Sequence, residues 1–493
     1  MMPLIPSILI VVVVILLFLA ALLIFRAMLY GRVPEDVAPL EESLIEMDAQ
    51  GAASRLSAAL QLPTVSEQDR TKINPQPFEE FHHLLERLYP RVHDSLKREK
   101  VNEYSLLYTW MGRNLDLEPV LLMGHLDVVP VDPVTRQEWV RPPFGGEIAD
   151  GYVWGRGALD MKSTVIAIFE AIEGLLRAGY RPERTLYLAF GHDEEIGGNQ
   201  GAAAIAALLE ERGVRLMAVL DEGGAVFQEA LPGLAVPVAL VGVAEKGHAT
   251  LQLLVEGRGG HSSTPPPHTA IGVLARAIAR LESHPMPARL TMIRRMLDEV
   301  GIFLPFKARL ALANAWLFGG LLSRQLAASP ITNALIRTTT AVTVIHGGVK
   351  DNLLPAQAEA HVNFRILPGD RVADVMAHAR RVIADDAVQI HLPDFTCWEP
   401  SPVSPVQSPV YQDLSKTIRE IFPEAVAAPF VVTGATDARH YTRLSECVYR
   451  FSPYLLNLEA IRTVHGNNER IAVEALPRMA QFYARLVDEW TGS

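Results

Sequence analysis

The sequence predicts an α/β protein built on a mixed, mostly parallel sheet, with a smaller ferredoxin-like α+β domain inserted in it and a transmembrane helix ahead of it. Three observations carry that prediction. Short apolar runs alternate with amphipathic stretches from about residue 54 to residue 245; the order then becomes β-α-β-β-α-β as far as residue 396; and Leu4 to Phe25 is 22 residues without a charge.

The uncharged run is long enough as a helix to cross ~30 Å of hydrocarbon. No Lys or Arg precedes it, and it exceeds the ~7 to 15 apolar residues of a cleaved signal peptide, so a membrane anchor over residues 4–29 is the preferred reading. Arg26 and Arg32 follow the span. They favour a cytoplasmic body, but two residues are too few to fix the side. The acidic stretch from Glu35 to Asp48 contributes little to that rule.

Next come Pro119 to Met123, Thr185 to Phe190 and Leu216 to Leu220, continuous apolar runs of the kind buried on both faces of a parallel sheet. Thr164 to Ala178 and Gly201 to Arg212 read as the helices between and after them. Residues 33–245 therefore form the first segment of a catalytic domain. In the insert, residues 246–396, Ala249 to Glu256 alternates as a half-exposed strand. Ala270 to Leu281 is helical, Ala341 to His346 and Ala358 to Ile366 are strands, Val372 to Ala384 is helical, and Val388 to Leu392 is a strand. A helical insertion, 285–338, carries apolar clusters such as Ala315-Trp316-Leu317-Phe318, either core or a greasy surface. Proline punctuates Pro400 to Pro409, and α/β patterning returns over 397–493 as the second segment of the catalytic domain.

With 493 residues and ~150 per domain, about three units are expected. Apolar residues are 49% and charged residues 20%, which excludes a disordered, collagen-like or multi-span chain. The net charge is −11 and no Lys/Arg run occurs, so nucleic acid is excluded as a partner. Cys397 and Cys447 lack C-x-x-C spacing, which suggests neither a zinc ribbon nor a redox pair but buried inert thiols.

Four motifs fall where predicted strands end: Gly124-His125-Leu126-Asp127, Gly157-Ala158-Leu159-Asp160-Met161-Lys162, His192-Asp193-Glu194-Glu195 and Asp221-Glu222-Gly223-Gly224. In an open parallel sheet the carboxyl ends of the strands border the ligand crevice, so these side chains can converge. Singly, a His-x-Asp is usually a loop pair and a Glu-Glu a solvated one. Together, convergent carboxylates need something positive to hold them, and mixed His, Asp and Glu suits zinc. Adjacent Glu194 and Glu195 point to opposite sides of extended backbone, so one can bind metal while the other takes the proton of an attacking water. Asp127, two residues after His125, is placed to accept the second imidazole N–H. That combination is metal-assisted hydrolysis. Gly155-Arg156-Gly157 has Asp160 where a dinucleotide fingerprint needs its third glycine, and neither a Walker loop, an H-E-x-x-H helix nor a G-x-S-x-G elbow occurs.

These motifs, in this order and wording (GHLDVVP, GRGALDMK, HDEEIGG, DEGG, GGHSS), resemble the aminoacylase, carboxypeptidase S and desuccinylase family of dinuclear zinc peptidases, metallopeptidase family 20, from about Leu121 to Ile471. Within it, the N-terminal span, the extra helices and the Thr433 to Tyr441 loop are most similar to carboxypeptidase S and the N-fatty-acyl-amino-acid synthase/hydrolase. The resemblance implies that Asp160 bridges two zinc ions, with Co²⁺ or Mn²⁺ as substitutes, that His125 and Asp221 complete one site, and that Glu195 and His465 complete the other. Glu194 would be the general base. His261 would polarise the scissile carbonyl from the inserted lid or dimerisation domain, and Asn352 and Arg365 would grip substrate, the arginine fitting a carboxylate bidentately. The Asp160–Met161 peptide would be cis. The family loop commonly reads Gly-Gly-Thr-Asp; here Gly434 is followed by Ala435 and Thr436, which bears on the backbone approach to the substrate carboxyl.

The reading is thus a membrane-anchored enzyme acting on a small-molecule substrate, a peptide or an N-acyl amino acid, and releasing a free amino acid, reversibly in principle. A homodimer through the lid is implied. The rival is a catalytically silent metal-binding or scaffold protein, against which no ligand and no base is missing.

Overall fold

The computed structural model describes residues 4–32, 38–40, 43–231, 233–393 and 397–492, with side chains from residue 8 onward. Part of the Glu35 to Asp48 stretch and the expected boundary at residue 33 lie outside the described residues. The chain divides into two compact units, one of residues 34–243, 404–430 and 436–493, the other of residues 1–33, 244–403 and 431–435.

The first of these units is organised on a mixed sheet. At its centre Leu186–Gly191, Val120–His125, Ala218–Asp221 and Val448–Arg450 run parallel to one another, and Ser105–Trp110 adds an antiparallel neighbour beyond Leu186–Gly191. Residue pairing sets Val120 opposite Leu186 and His125 opposite Gly191, so the strands finish level with each other. All six residues of Val120–His125 are buried. This is the burial that a continuous apolar run anticipates when helices cover both faces. One covering helix is Lys162–Arg177, almost wholly buried, and Ala475–Thr491 buries Leu476, Met479, Phe482, Tyr483 and Leu486 along one side. Each such leucine or phenylalanine contributes ~1.5 to 3 kcal/mol on burial. Lys162 opens its helix with its ammonium inside the protein, donating to the carbonyls of Ala59 at 3.0 Å and Leu62 at 2.5 Å. The Ala59 carbonyl lies in the last turn of the helix Ala49–Leu60, where a cation complements the helix dipole, and Leu62 follows just beyond it.

The other unit holds an antiparallel sheet in the order Thr339–Gly347, Gln357–Ile366, Gly247–Glu256, Val388–His391. Along Gly247–Glu256 buried and half-buried residues alternate strictly, because successive side chains point to opposite faces. Ala249, Leu251, Leu253 and Val255 join Val362 and Phe364 under the helices Ala270–Ser283 and Val372–Ile383. Helices Thr291–Val300, Phe306–Ala313, Ala315–Ala327 and Pro330–Ile336 occupy the helical insertion. The N-terminal helix Leu4–Met28 belongs to this unit, and over Ile8–Met28 it is long and apolar enough to cross a membrane. Cys397 and Cys447 are free and half-buried.

Candidate active site

Parallel pairing brings the sequence motifs to one sheet edge. His125 is the last residue of its strand, Glu194 and Glu195 sit in a short turn directly after Leu186–Gly191, and Glu222 follows Ala218–Asp221. Asp160 precedes the helix Lys162–Arg177, and its peptide bond to Met161 is cis, as the resemblance implies. His465 comes from the loop ahead of Arg470–Ala472, with left-handed backbone at φ 57°. Such a conformation is uncommon for a residue with a side chain and concentrates at functional positions.

Around these positions the donor atoms converge. Asp160 sets Oδ1 2.9 Å from His125 Nε2 and Oδ2 2.9 Å from His465 Nε2. His125 Nε2 is also 3.2 Å from Glu222 Oε1, and His465 Nε2 is 3.2 Å from Glu195 Oε2. Glu194 joins through the group His125, Glu194 and Glu195. Beneath them lies Asp127, fully buried. Its Oδ1 accepts the Glu194 N–H and its Oδ2 the Glu195 N–H, both at 3.1 Å, while Ser66 Oγ donates to Oδ2 at 2.6 Å. The His125 Nδ1 lies 3.0 Å from the Asp127 carbonyl and 3.4 Å from its carboxylate, which turns Nε2 toward the cluster. His192 and Asp193 of the same motif are used structurally: His192 Nδ1 pairs with Ser105 Oγ, and Asp193 accepts the N–H groups of Gln200 and Gly201.

Electrostatically, four carboxylates share two imidazoles, His125 buried and His465 half exposed. Burial pushes Glu194 well above the ordinary carboxylate range, with Glu222, Asp437 and Glu195 adding to it against the pull of His125. Burial and the charge of Asp160 lift Glu222 to about 8. Burial would raise Asp160 too, but His125 and His465 outweigh it and hold that carboxyl below its ordinary value. Hydrogen bonds to Asp160 and Glu195 raise His465 to about 10. Glu195 Oε1 is buried without a hydrogen-bond partner among the described residues. A buried carboxylate oxygen is costly in that condition, and a set of this composition fits divalent cations.

At one position the structure differs from the expectation. The carboxylate that meets His125 and Asp160 is Glu222, not Asp221. Asp221 closes its strand with Oδ2 2.8 Å from the backbone N–H of Ala438, so its side chain is turned to the 436–441 loop while that of Glu222 faces the cluster. The extended backbone expected for Glu194 and Glu195 is instead a helical turn, and both carboxylates approach His125; it is Asp221 and Glu222 that turn to different sides. A further acid, Asp437, went unselected. It is buried beside Asp221, and burial and that charge push it well above its usual range. Its Oδ1 would stand 1.9 Å from a Cβ on Gly198, which has φ +66°, so the turn after Glu195 needs glycine there. Thr436, buried, lies in the same unit as the cluster. His261, Asn352, Arg365 and Gly434 lie in the other unit. There the ladder Gly260–His261 with Leu353–Leu354 brings His261 beside Asn352, whose carbonyl accepts the Ser262 N–H at 3.2 Å, and Arg365 pairs across its strand with His248.

Residues 121–489 match the model of peptidase family M20/M25/M40. The chain belongs to that family. An N-fatty-acyl-amino acid synthase/hydrolase of Xenopus tropicalis is 40% identical over 449 residues, which are 90% of this chain and 86% of the relative. Carboxypeptidase S of Saccharomyces cerevisiae is 34% identical over 487 residues, covering 88% and 83%. Among solved structures, an M20 family metallo-carboxypeptidase of Sulfolobus solfataricus superposes with a TM-score of 0.63 at 19% identity, covering 90% of this chain and all of the other. Human carnosine dipeptidase 1 superposes with a TM-score of 0.61 at 15% identity, covering 90% and 97%. The M20 chain is accordingly a metal-dependent enzyme of amide hydrolysis, and its small-molecule substrates are those of a peptidase or amidohydrolase.

Proposed function

We propose that this M20 enzyme is a membrane-anchored dinuclear zinc amidohydrolase that frees an amino acid from the C-terminal end of a peptide or from an N-acyl conjugate. The observation that carries the proposal is Asp160, with one oxygen toward His125 and the other toward His465. Asp160 would bridge, His125 with Glu222 would hold one ion, and His465 with Glu195 the other. Zinc suits this imidazole and carboxylate set and, when bound, would polarise the scissile carbonyl and lower the pKa of water; Co²⁺ and Mn²⁺ accept the same donors.

The remaining work falls to the chain. Glu194, its backbone fixed by Asp127, takes the proton of the attacking water and returns it to the leaving nitrogen. Asp127 holds the His125 ring in one tautomer. His261 polarises the carbonyl, and Asn352, Arg365, Gly434 and Thr436 hold the substrate, the guanidinium on its free carboxylate. The names of the relatives support peptides and N-acyl amino acids as the substrate class, and the apolar helical insertion favours a hydrophobic acyl group. Condensing the same two products is the reverse of the same reaction.

Retention of the N-terminal helix as an anchor is supported by its attachment to the fold. The Arg26 guanidinium donates to the Ala313 carbonyl at 2.9 and 3.2 Å, Asn314 Nδ2 donates to the Leu23 carbonyl at 3.0 Å, and Ala27 is fully buried. The test is a screen of dipeptides and N-acyl amino acids with the full chain in detergent during a Zn²⁺ titration. Turnover rising with bound metal is expected. Two equivalents of zinc bound with no amide cleaved would overturn the reading.

A further inference from the structure

The geometry points to a second membrane contact: the helical layer from Phe306 to Ile331 rests on an anionic bilayer surface, with Trp316, Leu317 and Leu321 in the interface and Lys307, Arg309 and Arg324 toward the headgroups. This inference rests on the reading of Leu4–Met28 as a retained span.

The first observation is an unpartnered face. Helix Ala315–Ala327, sequence AWLFGGLLSRQLA, buries only Leu322. Trp316 is 64% exposed and Leu321 61%, and Leu317, Phe306 and Ile331 are exposed beside them. A helix so apolar on its outward side is unusual in water, and a contiguous patch of this kind marks an interaction surface.

Position says what covers it. Phe306–Ala313, the helix just before, is bonded to the last turns of the apolar N-terminal helix through Arg26 to Ala313 and Asn314 to Leu23. Arg26 is the first charged residue after the apolar run and so marks the depth at which the span leaves hydrocarbon. Asn314 directly precedes Ala315, so the exposed helix begins at that same depth. Tyr30 and Arg32 continue the attachment, reaching Asp298 at 2.8 Å and Glu299 at 2.7 Å. Trp316 therefore stands where indole rings concentrate in membrane proteins.

Charge agrees with position. Residues 301–350 contain Lys307, Arg309, Arg324, Arg337 and Lys350 and not one Asp or Glu, in a chain whose net charge is −11. Basic residues beside an interfacial apolar face are the pattern that anionic lipid attracts. The layer also leaves a hollow of about 410 Å³ in which Ile293, Leu297, Leu312, Leu322 and Leu326 stand beside Arg294, Arg295 and Asp298.

The test uses the full chain in vesicles of phosphatidylcholine and phosphatidylglycerol brominated high in their acyl chains. Of the six tryptophans, Trp110, Trp139, Trp154 and Trp490 are buried and Trp398 half-buried, so quenching should fall on Trp316 and remove about a sixth of the emission. Trp316→Phe should abolish the quenching, and Lys307→Glu with Arg324→Glu should weaken it several-fold. Flotation of the vesicles reads the span separately. A chain that floats with Trp316 unquenched overturns the surface contact and leaves the anchor standing; a chain that does not float overturns both. Trp316 shielded from an aqueous quencher only as protein concentration rises would assign the patch to a second copy of this chain and overturn the proposal.

Discussion

Arg156 and Glu469 form a buried ion pair, Nη1 to Oε2 2.6 Å, that ties together the turns carrying Asp160 and His465. Glu469 accepts the backbone N–H of Gly157 on Oε2 and those of Leu159 and Asp160 on Oε1, at 2.8 to 3.1 Å. The second amino group of Arg156 donates to the carbonyls of His465 at 3.2 Å and Gly466 at 3.0 Å. Each charge therefore holds the backbone of the other's turn, and Asp160 and His465 are positioned by one reciprocal clasp.

Cutting the clasp at either end should loosen metal before it touches chemistry. Glu469→Gln preserves shape but leaves Arg156 buried without its counter-charge, a loss on the order of 3 to 5 kcal/mol when one partner of a buried pair is removed. Metal affinity should fall ~10- to 100-fold, the usual effect of removing a group that orients ligands. A competitive chelator titration measures it, with Arg156→Lys as the milder variant that keeps the charge. Unchanged affinity in Glu469→Gln would show that the clasp does not position the ligands.

Glu194→Gln separates proton transfer from metal binding. The amide has the size of the carboxyl but cannot take a proton, so turnover should drop ~10²- to 10⁴-fold. Metal content by elemental analysis should stay at the wild-type level, because Asp160, Glu195, Glu222 and both histidines remain. Near-normal hydrolysis would remove Glu194 from the role of base.

Glu222 and Asp221 are distinguished by the same pair of measurements. Glu222→Gln weakens the site at His125 and should lower bound metal toward one equivalent with loss of turnover. Asp221→Asn retains an oxygen that can accept the Ala438 N–H and should keep both equivalents. The opposite outcome would return the ligand role to Asp221.

The sheet was legible because its burial is written in consecutive residues. A strand covered on both faces, such as Val120–His125, needs an unbroken apolar run, and one covered on a single face, such as Gly247–Glu256, needs alternation. Motifs at strand ends were legible for the same reason, since His125 and Glu194 follow such runs directly. His465 was not, because a histidine on an irregular loop carries no periodic signal; only the resemblance pointed to it. The placement of Glu222 at the cluster and of Asp437 beside Asp221 was not legible either, because it depends on which way a chain turns after its strand ends. Arg156 and Glu469 were missed because the groups they bond, each other's side chain and backbone atoms, lie more than 300 residues away.

Lys246 supplies a pH dependence of its own. Its ammonium is buried and donates to the Arg337 carbonyl at 2.8 Å. Burial, helped by the charge of Arg365 and opposed by Asp370, brings it down to about 7 from an ordinary 10.5. Between those two values the unfolded chain holds a proton that the folded chain does not, so this residue makes stability rise as pH increases across that window. Below about 7 both states are protonated, and the whole cost of the buried charge is present. Lys246→Met removes the cost at the ~1.4 kcal/mol per pKa unit that linkage implies, a few kcal/mol in all. In thermal unfolding of the full chain in detergent, the variant should be more stable than wild type near neutral and acidic pH, with the gap closing as pH approaches 10.5. A difference between the two proteins that does not vary with pH across this window would show that Lys246 keeps its ordinary proton affinity in the fold.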